Sequence, residues 1–296
     1  MTRYAVLRGH RSGRGRAGER GVAVAEALRA AGQQVHELAA DTADAAREAC
    51  RVAVQEGVQV LVVVGGDGAV GLAAGACRGT GTALGIVPAG TGNDNARSLG
   101  IPLRTEAAIS TLLHDARRPV DLIEVAPTGR VVLGSVPTAL DARIALRATT
   151  LPKWLGPTVY AAATLPELRH LRPQPYRLEL DGVPWETEAL VVAACNMPVY
   201  GGGMRIAPDA DPTDGLLDVV VIGRVGARQA LGLLTGVFAG RHVGHPSVQV
   251  RRAATVRVEG PELVVLGDGD PIGPLPVTCT TLPGAVQVVV PPGAVS

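Results

Sequence analysis

The sequence predicts an α/β protein in two parts: an N-terminal α/β domain with a parallel sheet over residues 1–125, and a C-terminal, mostly antiparallel β-sandwich domain over residues 126–284. Three observations predict it. Strand-like and helix-like patterns alternate across residues 1–120, the signature of a parallel sheet layered between helices. The stretch "VQVLVVV" at Val58–Val64 is almost entirely apolar, as a strand buried on both faces must be. After Pro127 the texture changes to short strand-like runs punctuated by Gly and Pro, which suits antiparallel strands.

The elements follow in order. "RYAVLR" reads as a strand and "GERGVAVAEALRAAG" as a helix; "QQVHELAA" and "DTADAAREACRVAVQEG" repeat the pair. "VQVLVVV" then runs through a glycine turn into "AVGLAAGACRG", and "ALGIVP" into "GTGNDNARSLG". Helical spacing returns around Thr105–His114, and "RPVDLIEVA" is the strand leaving this part. Beyond Pro127 the strands are "RVVLGSV", "YRLELDG", "EALVVAAC", "LLDVVVIG", "SVQVRRAATVRVEG" and "VTCTTLPGAVQVVVP". Two helical interruptions, around Thr158–Leu171 and Ala227–Phe238, repeat no titratable residue on one face and read as core-facing support.

Composition excludes several functions. At 296 residues and 47% hydrophobic, the chain can bury a sizeable core. Only 2% of residues are aromatic, so platforms for stacking bases are lacking, and 28 basic against 27 acidic residues give no general field for nucleic acid or an anionic membrane. Nucleic acid is therefore not expected as a partner. Lys153 is the one lysine, which rules out a lysine-bearing phosphate loop and leaves anion recognition to arginine. Cys50, Cys77, Cys195 and Cys279 form no C-x-x-C pair and read as buried free thiols. No apolar run approaches the roughly 20 residues of a membrane span, and no hydrophobic signal segment opens the chain. A cytoplasmic protein with at most peripheral membrane contact is expected.

Two turns carry the chemistry. "VLVVVGGDGAVG" places Gly66, Gly68 and Gly71 at G-x-G-x-x-G spacing between a strand and a helix, where backbone N–H groups can cradle a phosphate. A dinucleotide site would need an acidic residue at the end of the next strand, but "ALGIVP" ends in Pro88 and Ala89. The same spacing recurs at Gly13, Gly15 and Gly18, flanked by Arg11, Arg14 and Arg16, with Glu37 at a plausible distance. That stretch reads equally as a basic phosphate loop. The second turn, "PAGTGNDNA" at Pro88–Ala96, brings Thr91, Asn93 and Asp94 to the start of a helix. The Thr91 hydroxyl suits a phosphate and Asp94 a metal-bound water, although Thr91 or Asn93 could equally be a helix cap. Turns on successive parallel strands lie side by side at the carboxyl edge of the sheet, where α/β folds bind ligands.

The pairing of "GGDG" (Gly65–Gly68) with "PAGTGND" (Pro88–Asp94) resembles the diacylglycerol kinase catalytic-domain family of bacterial lipid kinases, which includes sphingosine and ceramide kinases. The resemblance extends through "RSGRGRA", "VDLIEV", "GGGMRIAPDADPTDGLLDVVVI" and "GDGDPIGPLPVTCTTLPGAVQVVVP". It implies an ATP-binding domain of NAD-kinase-like fold, to which a final strand at about 285–296 returns. It also implies an ATP- and Mg2+-dependent kinase acting on a lipid-like alcohol, diacylglycerol by default, with peripheral membrane contact and room for a homodimer. By that resemblance Gly65, Gly66, Asp67, Gly68 and Thr91 bind ATP phosphates, within motifs that include Asn93 and Asp94, and Ser12 and Gly13 add a third contact. "DPTDGL" matches a structural magnesium site formed by the Asp214 carboxylate and the backbone carbonyls of Asp211 and Leu216, oxygen ligands that suit a hard cation. "GDGD" matches the family's D-G-E signature, making Asp268 and Asp270 the candidates for the general base. Read without the family, Asp214-Gly215 and Asp268-Gly269 are ordinary turn dipeptides.

The chain departs from the family pattern at several positions. Gly9 and His10 replace an Asn-Pro pair, Ala39 and Ala69 replace threonines, Asn95 replaces a phenylalanine and Asp270 a glutamate. A lost hydroxyl or amide removes a hydrogen bond to phosphate worth about 1.5–3 kcal/mol. These changes leave two alternatives standing, a non-catalytic nucleotide- or lipid-binding protein and a kinase of a non-lipid hydroxyl. The glycine spacings alone keep an NAD(P)-dependent oxidoreductase in view.

Overall fold

The computed structural model of the chain describes residues 1–8, 16–139, 147, 150, 162–163, 166, 172–261 and 264–293. Gly9, His10, Ser12 and Gly13 lie outside the described residues, as does nearly all of the helical stretch expected around Thr158–Leu171. The chain divides into two compact units, Met1–Asp121 with Gly284–Ser296, and Leu122–Pro283.

In the first unit, strands β1 (Arg3–Arg8), β2 (Gln34–Leu38), β3 (Val60–Gly65) and β4 (Ala83–Pro88) form a parallel sheet in the order β2-β1-β3-β4. Helices α1 (Arg16–Ala30), α2 (Ala43–Gln55) and α3 (Asp67–Cys77) connect successive strands. The short α4 (Asp94–Ser98) and α5 (Thr105–His114) follow β4. Alternation along β3 shows why its sequence is apolar throughout: Val60, Val62 and Val64 share a cluster with Val24 and Leu28 of α1 and Leu112 of α5. Leu61 and Val63, of the opposite parity, are equally buried. Helices α2 and α3 pack on each other and on β3, so both faces of the strand are covered. Strand β5 (Arg117–Ala126) leaves the unit.

The second unit is a sandwich of antiparallel strands. Its four-stranded sheet runs β12-β11-β10-β7, from β7 (Ser135–Ala139), β10 (Val191–Cys195), β11 (Leu217–Ile222) and β12 (Val248–Ala253). Opposite it lie β8 (Gln174–Leu180), β9 (Val183–Ala189) and β13 (Thr255–Glu259), while β6 (Arg130–Val132) pairs with β5. Inward-facing residues of both sheets fill one aliphatic core, among them Leu178, Val192, Val219, Val221, Val256 and Val258. Helix α6 (Ala227–Phe238) lays Ala230, Leu233 and Val237 against the outer face of the four-stranded sheet. A hairpin of β14 (Val264–Gly267) and β15 (Asp270–Pro274) precedes the long β16 (Val277–Val289). Residues Val277–Thr280 of β16 pair antiparallel with β13, and Gln287 and Val288 pair parallel with β4.

Candidate active site

The carboxyl ends of β3 and β4 stand in register, Gly65 opposite Pro88, and the Ala89 N–H donates to the Gly65 carbonyl at 2.8 Å. The two glycine-rich turns therefore leave the sheet side by side. Gly66 caps α3 with extended backbone and offers it no side-chain hydrogen bond. The turns touch backbone to backbone. A Cβ on Gly90 would sit 2.5 Å from the Gly66 Cα, and one on Gly66 would sit 3.1 Å from the Gly90 Cα. Neither position has room for a side chain, which explains the two glycines by packing as well as by access to an anion.

Asn93 closes the second turn. It adopts φ 55°, a left-handed conformation Asn tolerates, and its carboxamide accepts from the Gly90 N–H at 2.8 Å while donating to the Gly90 carbonyl at 3.0 Å. Thr91, between them, is exposed. Asp67 opens α3, and its Oδ1 accepts from the Asn95 N–H at 2.9 Å. Burial pushes the Asp67 carboxyl above the usual carboxylate range, and amide donors of Asn95, Asp94, Asp67 itself and Asn93 oppose that shift. Asp94 is buried, and a Cβ on Gly92 would lie 3.1 Å from Asp94 Oδ2 and 3.3 Å from Asp67 Oδ2. The two carboxylates thus converge at Gly92. Gly65, Gly66, Asp67, Gly68, Thr91, Asn93 and Asp94 all belong to this one pair of turns.

Arg20 was not marked by its sequence context. From α1 its Nη1 donates to the Pro88 carbonyl at 3.4 Å, which brings a guanidinium to the edge of the second turn. Among the described residues no carboxylate pairs with it. The concentration of arginine in the first 20 residues was the available signal. Of the Gly13, Gly15, Gly18 spacing only Gly18 is among the described residues: a Cβ on it would meet open space, while one on Gly21 of α1 would strike the Arg8 side chain.

In the second unit, Asp268 and Gly269 form the two-residue turn between β14 and β15, both with positive φ (48° and 87°). The turn also fixes a carboxylate. Asp268 Oδ2 accepts from the Leu133 N–H and Oδ1 from the Gly134 N–H, each at 2.8 Å. Asn196 braces the same segment, donating from Nδ2 to the Leu133 carbonyl and from its N–H to the Gly134 carbonyl. Asp270 is half-buried at the start of β15, opposite Gly267.

The turn expected to hold magnesium is internally satisfied. Asp214 Oδ1 accepts from the Leu216 N–H at 2.9 Å, and Oδ2 is ion-paired with Arg252. Asp211 Oδ1 accepts from both the N–H and the hydroxyl of Thr213, and the Asp211 carbonyl accepts from the Asp214 N–H at 3.4 Å. The carboxylate oxygen that a divalent ion would use is here turned to a guanidinium. With Arg252 in that place, the turn as it stands differs from the ion site the resemblance implies. No cluster of three or more metal-ligating side chains occurs among the described residues. No helix among them is long and apolar enough to cross a membrane.

Residues 3–125 match the family described as "Diacylglycerol kinase catalytic domain", and residues 134–290 the one described as "YegS C-terminal NAD kinase beta sandwich-like domain". A protein of Mycobacterium tuberculosis named "Diacylglycerol kinase" is 37% identical over 269 residues, covering 89% of this chain and 87% of that one. A Pseudomonas aeruginosa protein named "Probable lipid kinase YegS-like" is 34% identical, covering 84% and 82%. Among solved structures, a diacylglycerol kinase of Bacillus anthracis superposes with TM-score 0.73 at 20% identity, covering 99% and 98%. The fold is thus shared over the whole chain, and the sequence likeness covers both units. The chain belongs to the diacylglycerol kinase catalytic-domain family and is a phosphotransferase with an alcohol group as acceptor.

Proposed function

We propose that the chain transfers the γ-phosphate of ATP to the hydroxyl of a lipid-like alcohol, diacylglycerol by default, drawn from a membrane surface. The observation that carries this reading is the backbone contact of Gly66 with Gly90, which holds the two glycine turns side by side at the start of α3, a helix end that suits an anion. Thr91 and Arg20 add a hydroxyl and a guanidinium at the same edge, the donors that oligophosphate oxygens require. Mg2+ carried with the nucleotide would neutralise charge on the β- and γ-oxygens, and the carboxylates of Asp67 and Asp94 are the residues suited to hold its water.

The acceptor proton falls to Asp268. Phosphoryl transfer passes through a loose transition state in which positioning matters more than the strength of the base. The Leu133 and Gly134 N–H groups hold this carboxylate in one orientation. Asp270, half-buried two residues on, is the second candidate for the same role. Incubating the purified protein with γ-labelled ATP, magnesium, and a panel of lipid and non-lipid alcohols tests the reading. Label in a lipid product supports it; label only in a soluble hydroxyl compound, or ATP binding without transfer to any acceptor, contradicts it.

A further inference from the structure

We propose that Arg252 is the resident cation of the Asp211–Leu216 turn, so that this turn keeps its shape without a divalent metal ion. The register of the four-stranded sheet sets Arg252 of β12 directly opposite Asp218 of β11, the cross-strand position at which opposite charges support each other. From there Arg252 Nε lies 3.6 Å from Asp218 Oδ2, and Nη2 reaches back to Asp214 Oδ2 in the turn that leads into β11. One guanidinium thus ties the turn to the strand that follows it. Arginine suits this task, because its planar fork presents several N–H donors at once and stays charged at any pH the protein meets.

Two further carboxylate oxygens of the turn are served from within the chain. The Leu216 N–H holds Asp214 Oδ1, and Thr213 holds Asp211 Oδ1 through two hydrogen bonds. A divalent ion at Asp214 would have to displace Arg252, which would leave the nearly buried Asp218 carboxylate to find another partner. The inference concerns the second unit alone and does not depend on the nucleotide reading.

The test is thermal melting without nucleotide, in EDTA and in rising magnesium, manganese or calcium chloride. The wild-type chain should melt at the same temperature throughout. Arg252→Ala should melt lower in EDTA, by about 1–4 °C for the loss of a half-exposed ion pair in a unit of this size. The added cation should restore the loss saturably, and the restoration should vanish in Arg252→Ala/Asp214→Asn. Should Arg252→Ala fail to fold, Arg252→Gln carries the same comparison, with the length kept and the charge lost. A saturable stabilisation of the wild-type chain by magnesium that Asp214→Asn abolishes would overturn the proposal. So would an Arg252→Ala chain as stable as wild type in EDTA and indifferent to cations.

Discussion

Gly90→Ala tests the joint between the two nucleotide turns. The new methyl group would lie 2.5 Å from the Gly66 Cα, 3.3 Å from the Gly66 nitrogen and 3.0 Å from Asn93 Oδ1. Carbon atoms in contact prefer about 3.5–4.0 Å, so the turns must separate by roughly 1 Å, and the nearest obstacle is backbone that no rotamer change can clear. Overpacking of this kind costs about 1–3 kcal/mol. Where that strain falls on the geometry that receives the phosphates, it weakens ATP binding about 5- to 150-fold. Gly66→Ala meets Gly90 at 3.1 Å and should lose only a few-fold. Gly18→Ala lies on α1 with open space around it, and should leave ATP binding unchanged while gaining about 0.5–1 kcal/mol of stability. Titration calorimetry with ATP, paired with thermal melts, reads all three. A Gly90→Ala chain that binds ATP as tightly as wild type would refute the reasoning, as would Gly18→Ala losing affinity.

Arg20→Ala should weaken binding of ATP more than that of AMP, because its guanidinium stands at the phosphate turns; equal losses for both nucleotides would count against that placement. Asp268→Asn removes one of two acceptors facing backbone N–H groups, and should lower stability by about 1–3 kcal/mol together with kcat. Asp270→Asn should leave the melting temperature near wild type, and a variant pair with the opposite pattern would exchange the two roles. His242 is 2% exposed, its Nε2 bonds the Ile206 carbonyl at 2.9 Å, and burial holds its pKa below the ordinary 6.5. Its contribution to stability is whole above pH 6.5 and is lost as pH falls through the depressed value. Urea melts of wild type and His242→Gln between pH 8 and 5 should show the steeper acid loss in wild type; parallel profiles would contradict it.

The fold class was legible because it rests on local signals. The apolar run of β3, the glycine turns that open α3 and α4, and the Gly- and Pro-punctuated strands after Pro127 each announce their layer through nearest neighbours in the chain. The motif turns were legible for the same reason, since each is a single strand-to-helix junction. Contacts across the sequence were not. That Gly66 abuts Gly90 depends on the register of β3 with β4. The partners of Asp268, Leu133 and Gly134, lie some 130 residues away along the chain. Arg252 reaches Asp214 through the pairing of β12 with β11, which no local pattern encodes. Gly18 shows the opposite case, for it fits a glycine pattern although a Cβ there would meet nothing.

The central claim is that the paired turns Gly65–Gly68 and Pro88–Asp94 receive the phosphates of ATP. Titrating the wild-type chain with ATP, ADP, AMP and NAD in the presence of magnesium tests it most directly. Affinity should fall with each phosphate removed, and NAD should give no saturable binding. Binding of NAD tighter than that of ATP, or AMP held as firmly as ATP, would contradict it.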